Sequence, residues 1–307
     1  GVSSEVDKLR QGGWNPRRVS VRINDSPAVD LYVRNQKRNA AKVGIQFVEK
    51  HFPVNISEAE VHATILNLNV DPWVTGIILQ RPIPENLPIK SLQTTIHPLK
   101  DVEGMHPASI GNIFYRELEL GPCTAIAAVE LLKSTGLSLE GLEVTVIGHF
   151  EIVGKPIAFL LMAEGATVTV CHHLTREVAL HSRVADAVLI AVGRPGLLKG
   201  DMIRPGAAVI DIGINQVEGA DGALQVVGDC DPCRTVAGWI TPVPGGVGPV
   251  TVAVLMRNTV VAARRLGRPR THRAVDQVEH LARARHDVLA RLVQLHLAKV
   301  VLDNVGV

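Results

Sequence analysis

The chain lacks what several protein classes require. Its 307 residues include four cysteines, Cys123, Cys171, Cys230 and Cys233. In a chain this long, that does not make a disulfide framework. A reducing cytoplasm is the expected compartment. No apolar run reaches the roughly 18 residues that a spanning helix needs, and the first residues carry no signal-peptide pattern, so no membrane association is expected. Net charge is +2 without a long basic run, so no nucleic-acid partner is expected either. The locally basic stretch 264–273 reads as a solvated turn. Internal repeats and low-complexity segments are missing. Cys230-Asp231-Pro232-Cys233 has C-x-x-C spacing but no second such pair. Zinc would need two further ligands, for which Cys171, His172 and His173 are candidates on paper, and no metal site is expected.

What remains is an ordinary globular composition, 46% hydrophobic and 20% charged, in a length that accommodates two modest domains. Val19–Ile23 alternates as a strand does. Asp25-Ser26-Pro27 reads as a turn, Asp30 is a possible cap, and a helix is expected over Leu31–Val43, ending near Gly44. Ser57 followed by Glu60 is a capping-box pattern that opens a helix through Leu68. Gly76–Leu79 reads as a short strand, stopped by the prolines of Gln80-Arg81-Pro82-Ile83-Pro84. A helix over Pro122–Thr135 follows, and then the grammar changes.

Strands are expected at Glu143–Ile147, Thr167–Cys171, Ala187–Ala191 and Ala208–Ile212, with a helix over Gly154–Ala163 and helix-length spacers between the rest. Alternation of this kind predicts a parallel sheet covered by helices on both faces. The fold class is therefore α/β: two α/β domains, the second Rossmann-like, plus C-terminal helices. The expected extents are 1–130, 131–250 and 251–307. Between Ala274 and Asn304, Val278, Leu281, Val288, Leu289, Leu292 and Leu295 make an apolar stripe suited to packing against this chain or a second subunit.

The segment Gly148-His149-Phe150-Glu151-Ile152-Val153-Gly154-Lys155-Pro156 follows a strand and starts a helix. That arrangement aims backbone N–H groups and the positive helix end at a phosphate. The spacing is not G-x-G-x-x-G, so by itself it reads equally as a dinucleotide site or a tight turn. Gly193-Arg194-Pro195 and Gly213-Ile214-Asn215 also follow strands, where ligands of parallel sheets sit.

Several ordered motifs resemble one family. Thr241-Pro242-Val243-Pro244-Gly245-Gly246-Val247-Gly248-Pro249-Val250-Thr251 is similar to the signature of methylenetetrahydrofolate dehydrogenase/cyclohydrolases. Tyr32-Val33-Arg34-Asn35, Gln80 to Pro84, Lys100-Asp101-Val102-Glu103-Gly104, Pro122-Cys123-Thr124, Ile152 to Pro156 and Asp211 to Asn215 match in order. The resemblance spans about residues 19–265. It implies a folate cleft between a catalytic and a dinucleotide-binding domain, in a homodimer, with hydride transfer from methylenetetrahydrofolate to NAD or NADP. Tyr32, Gln36, Gln80 and Glu103 would occupy the catalytic positions. Tyr32, Gln80, Glu103, Pro244, Gly245 and Gly246 would meet the folate. Gly148, His149, Phe150, Ile152, Val153, Gly154, Lys155, Pro156, Gly193, Ile214 and Thr251 would carry the dinucleotide.

The departures from that pattern bear on chemistry. Where the family has Tyr-x-x-x-Lys on one helix face, this chain has Tyr32 and Gln36. An amide does not titrate near neutrality and is no general acid or base. Lys37 would point about 100° away on a regular helix. Loss or strong reduction of the cyclohydrolase step is therefore expected. Glu103 stands for an aspartate that holds the pterin, Arg81 adds a cation beside Gln80, Val29 replaces a serine, and Ala125 a proline. His149-Phe150 replace an Arg-Ser pair that resembles a grip on the 2′-phosphate of NADP. A lost charge-assisted bond costs about 1.5–3 kcal/mol, so weakened NADP binding is expected, with NAD as substitute. With so many changes in the cleft, two alternatives stay open: a folate-binding relative without turnover, or an enzyme moving the one-carbon unit without redox chemistry.

Overall fold

The computed structural model describes residues 1–23, 27–115, 118–219, 222–231 and 233–267. Residues 1–267 form one compact unit. The apolar stripe expected between Ala274 and Asn304 lies outside the described residues.

The chain opens with α1 (Val2–Gln11), then β1 (Arg17–Ile23), α2 (Pro27–Val43), β2 (Gln46–Phe52), α3 (Glu58–Val70), β3 (Gly76–Leu79), α4 (Ile89–Thr95) and α5 (Pro107–Phe114). β1 is central in a parallel sheet of order β2-β1-β3. Period-two alternation gives its faces different work. Val19, Val21 and Ile23 join a core with Val61 and Ile65 of α3 and Leu92 of α4. Arg18, Ser20 and Arg22 are also buried. Helix α2 begins four residues before the expected Leu31, at Pro27, where fixed φ and a missing N–H suit the first helical turn. Asp30 thus lies inside that turn rather than capping it, and pairs with Arg22. The Ser57–Glu60 capping box is present in full, each side chain bonding the other's backbone N–H.

After α6 (Cys123–Lys133) come β4 (Glu143–Ile147), α7 (Gly154–Ala163), β5 (Thr167–Cys171), α8 (Val178–Ser182), β6 (Ala187–Ile190), β7 (Ala208–Asp211), the hairpin β8 (Asn215–Glu218)/β9 (Leu224–Val227), β10 (Trp239–Ile240) and α9 (Val247–Leu266). The second sheet is parallel throughout, in the order β10-β7-β6-β4-β5. Numbered within this half, that is 2-1-3-4-5, with the strand order reversing between β4 and β6. Ligands of such sheets bind outside the carboxyl ends at that switch. β6 and β7 are buried along their whole length, as strands covered on both faces are.

Helix α9 returns to the first half and packs on α1, α2 and α6. Val6, Ala40, Ile126, Leu132, Leu255 and Met256 share one core there, and fully burying each larger side chain is worth about 1.5–3 kcal/mol. Cys230 and Cys233, read from spacing as outside any disulfide framework, are joined as a local disulfide. No cluster of three or more metal-ligating side chains occurs among the described residues. No helix among them is long and apolar enough to cross a membrane.

Candidate active site

The floor of the cleft is made by β1, α2 and β3. Tyr32 and Gln36 lie one turn apart on α2, and both line a pocket with Glu103, Cys123, Ile152 and Thr251. Gln36 is fully buried, whereas Lys37 beside it is exposed. The helix is regular there, so the neighbouring amine does not reach the position that the tyrosine spacing marks. The Gln36 amide faces Gln80 in a two-way pair: Gln36 Nε2 donates to Gln80 Oε1 at 3.4 Å and Gln80 Nε2 to Gln36 Oε1 at 3.2 Å. Gln80 Nε2 also donates to Ser20 Oγ at 2.9 Å, so β1, α2 and the end of β3 are tied through neutral groups.

Beneath this pair lies a charge that sequence reasoning did not flag. Arg18 is fully buried on β1, its Nη2 3.4 Å from the Gln36 carbonyl oxygen and Nη1 3.8 Å from Met256 Sδ. Its guanidinium carbon sits 5.2 Å from the centre of the Phe47 ring, and its Nε has no hydrogen-bond partner. Removal from water brings its pKa down to about 10, which Tyr32 and Cys123 partly oppose. No carboxylate pairs with it among the described residues. The cleft therefore keeps one permanent cation near Tyr32, but on a group that does not exchange protons near neutrality.

Glu103 borders the same pocket. Burial, then repulsion from Asp101, raise its carboxyl to about 7, while Arg81 pulls the other way. It therefore ionises close to neutral pH. Burial and the carboxyl of Glu103 push the Tyr32 phenol up, against a smaller opposing pull from Arg18 and the Gln36 side chain, so Tyr32 stays protonated. Asp101 is structural, accepting from the N–H groups of Gly104 at 3.1 Å and His106 at 2.6 Å. Lys100 is structural too: its Nζ donates to the carbonyls of Leu68 at 2.9 Å and Asp71 at 2.7 Å, closing the end of α3. Arg81 donates to Gln93 and leaves a buried Nε unpartnered.

In the second half the glycine turn is shaped by close approach. Gly148 has φ +112°, and a Cβ on Gly154 would lie 1.7 Å from the Gly148 carbonyl oxygen. The strand-to-helix turn is thus folded back on itself, bringing the start of α7 against the end of β4, an approach that leaves no room for a side chain at 154. Lys155 N bonds Phe150 O at 3.1 Å, and Pro156, buried, needs no amide partner in this first turn. Phe150 is 62% exposed and His149 half-buried.

The loop after β6 is held by Asp229, a residue for which the sequence offered no signal. Asp229 is fully buried. It accepts from the N–H groups of Val192 at 2.7 Å, Gly193 at 3.0 Å and Arg194 at 2.8 Å, and from Asn215 Nδ2 at 2.9 Å. Asp211, at the end of β7, accepts in turn from Gly213, Asp229 and Cys230. Burial raises its pKa against those bonds. Two buried carboxylates therefore set the loops that flank Gly148. Ile214 beside them is 70% exposed.

The expected residues come together in part. Tyr32, Gln36 and Glu103 share one pocket with Ile152 and Thr251 of the second half, and Gln80 stands directly behind Gln36. Pro244, Gly245 and Gly246 form the turn that leads into α9, with Gly246 at its N-cap, and are not among the pocket-lining residues.

Comparison with known proteins bears on both halves. The profile of the tetrahydrofolate dehydrogenase/cyclohydrolase catalytic domain matches residues 1–103, and that of the NAD(P)-binding domain matches residues 122–266. Bifunctional protein FolD 2 of Mesorhizobium japonicum is 63% identical over 266 residues, covering 86% of this chain and 87% of the relative. Bifunctional protein FolD of Moorella thermoacetica is 44% identical, covering 86% and 94%. The solved FolD methylenetetrahydrofolate dehydrogenase/cyclohydrolase of Campylobacter jejuni superposes with TM-score 0.81 at 36% identity, over 86% of this chain and 93% of its own. The Trypanosoma brucei enzyme, solved with NADP and an inhibitor, gives 0.81 at 36% identity, over 86% and 92%. With both halves matched in order, the chain belongs to the tetrahydrofolate dehydrogenase/cyclohydrolase family.

Proposed function

We propose that this chain oxidises 5,10-methylenetetrahydrofolate to the methenyl form by hydride transfer to a nicotinamide dinucleotide, with hydrolysis of the methenyl product lost or greatly reduced. The observation that carries the second part is Gln36. It occupies, fully buried, the place one turn from Tyr32, and its amide is engaged with Gln80. Neither nitrogen nor oxygen of that amide takes or releases a proton near pH 7.

The tight glycine turn from Gly148 to Gly154 that starts α7 and the reversal of strand order between β4 and β6 fit a dinucleotide. When bound, the nicotinamide supplies the hydride acceptor, and the protein supplies position and surroundings. Gly148 to Pro156, Gly193 and Thr251 would hold it. Tyr32 would orient the folate, Gln80 would act on it through Gln36, whose amide it holds, and Glu103, when ionised, would accept hydrogen bonds from the pterin edge. Arg18, fully buried beneath Gln36, adds a positive potential to this end of the cleft without proton exchange. Weakened NADP binding and use of NAD belong to the same reading, supported by the absence of an arginine at His149 and of a donor at Phe150. So do a homodimer, a cytoplasmic location and the extents 1–130, 131–250 and 251–307, all resting on the family resemblance and the change of grammar along the chain.

The test mixes purified protein with methylenetetrahydrofolate and NAD or NADP and follows reduced-nicotinamide absorbance, with methenyl decay measured separately. Turnover without accelerated decay is the expected outcome. Tight folate binding without turnover would overturn the dehydrogenase reading, and accelerated decay the hydrolytic one.

A further inference from the structure

One buried charge in the first half, Arg18 of β1, has no counter-ion among the described residues. Its side chain is closed off from water. It meets the Gln36 carbonyl oxygen at 3.4 Å, Met256 Sδ at 3.8 Å and the centre of the Phe47 ring at 5.2 Å, and its Nε has no partner. None of these groups carries a net charge. A methionine or leucine would fill the site at lower cost, because a buried ion without a counter-charge loses its hydration with no Coulombic return. Departures of that kind concentrate at functional sites.

The uncompensated field falls on the pocket. Arg18 acts electrostatically on Tyr32 and Cys123, and both line the pocket together with Gln36. Hydride transfer requires the folate carbon and the nicotinamide to touch. The reacting carbon therefore lies where the two halves share this pocket, with Tyr32, Gln36 and Cys123 on one side and Ile152 and Thr251 on the other. The two folates that meet there have nearly the same shape and different charge. In methylenetetrahydrofolate the one-carbon bridge is a neutral methylene between two nitrogens. Breaking one of its C–H bonds sends the hydrogen with its electron pair to the nicotinamide. The positive charge passes from the nicotinamide ring to the folate bridge, which becomes an amidinium spread over both nitrogens. Oxidation thus puts a cation on the folate beside an arginine that stays charged.

We propose that Arg18 is a specificity-determining residue acting through space: it weakens the hold on the methenyl cation relative to the neutral methylene substrate, so that the product leaves instead of staying for hydrolysis. This rests on the dehydrogenase reading given above. A unit charge roughly 10 Å away, at an effective dielectric of about 20, changes an affinity by on the order of tenfold. Burial keeps solvent ions from screening it. The released cation is then the substrate of a separate hydrolytic reaction that adds water to the amidinium carbon. That division of labour fits the Gln36–Gln80 pair, which offers a retained cation no proton acceptor.

Fluorescence titration of the full chain with methylenetetrahydrofolate and with methenyltetrahydrofolate tests this, at one pH clearly below about 7, where Glu103 is mostly uncharged. The native protein should bind the neutral folate more tightly. Arg18→Met and Arg18→Gln, two neutral replacements of different shape, should each move the affinity ratio about tenfold toward the cation. Product inhibition by added methenyltetrahydrofolate should strengthen in parallel. Thermal unfolding identifies the folded variants, and where one fails to fold the other decides. Equal affinities in the native protein overturn the proposal, as does a ratio unchanged in a folded variant. A shift in only one of two folded variants marks a packing effect and also overturns it. Binding of both folates without turnover overturns the dehydrogenase reading, while the ratio still decides the role of Arg18. Failure to bind either folate overturns both.

Discussion

Restoring an amine at position 36 tests the cleft most directly. Gln36→Lys would place an ammonium at a fully buried site, in exchange for the amide pair with Gln80. Losing that pair and desolvating a charge should destabilise the fold by about 1–3 kcal/mol. A second effect comes from Arg18, whose Nη2 is 3.4 Å from the residue-36 carbonyl. Two cations roughly 5–6 Å apart at an effective dielectric of about 20 repel by about 3 kcal/mol. That would bring the new amine's pKa down by about 2, toward ~8, into the range where it can exchange protons. Gln36→Lys should therefore gain measurable methenyl hydrolysis with an alkaline limb near pH ~8. Adding Arg18→Leu should move that limb upward by about 2 and recover stability. Methenyl absorbance decay across pH, with thermal unfolding of each variant, checks both. A folded Gln36→Lys protein without hydrolysis at any pH refutes the reading of position 36. A limb that stays fixed when Arg18 is removed refutes the coupling.

The other predictions concern the pterin carboxyl and the second half. The carboxyl of Glu103, raised to about 7, must ionise to accept two hydrogen bonds. Folate affinity should rise with pH through about 7, and Glu103→Gln should abolish the rise, as read by fluorescence titration. Because the folded carboxyl titrates higher than the ordinary 4.5, the folded state holds the extra proton between 4.5 and about 7, and ligand-free stability should fall as pH rises through that window. Gly154→Ala pushes a Cβ to 1.7 Å from the Gly148 carbonyl oxygen, and should cost about 2 kcal/mol or more and lower NAD affinity strongly, checked by thermal unfolding and calorimetry. Asp229→Asn keeps one acceptor oxygen where four bonds now converge, and should cost about 2–3 kcal/mol and loosen the 192–194 loop, read by amide exchange.

Local chemistry made much of the architecture legible. The bounds of β3, β4, α7 and β5 follow from apolar runs and punctuating glycines, and the Ser57–Glu60 box is a reciprocal bond between residues three apart. The same holds for the one-turn spacing of Tyr32 and Gln36, and for the glycine turn after β4. β2 escaped the pattern because Glu49, Lys50 and His51 occupy a mostly exposed edge strand, where burial imposes no alternation. α1 has a single fully buried residue, Val6, with Val2 and Leu9 packed on the same face, too few apolar positions to stand out in a mostly polar segment.

Tertiary structure alone decided the electrostatics of both sites. Parallel pairing and crossover helices bring residues far apart in the chain within a few ångströms. Arg18 thus sits under Gln36, Asp229 clamps the loop after β6, and His149 joins His172 and His173. A sequence specifies which side chains carry charge or protons. How far those groups lie from water and from one another depends on strand register, and that distance is what sets their chemistry.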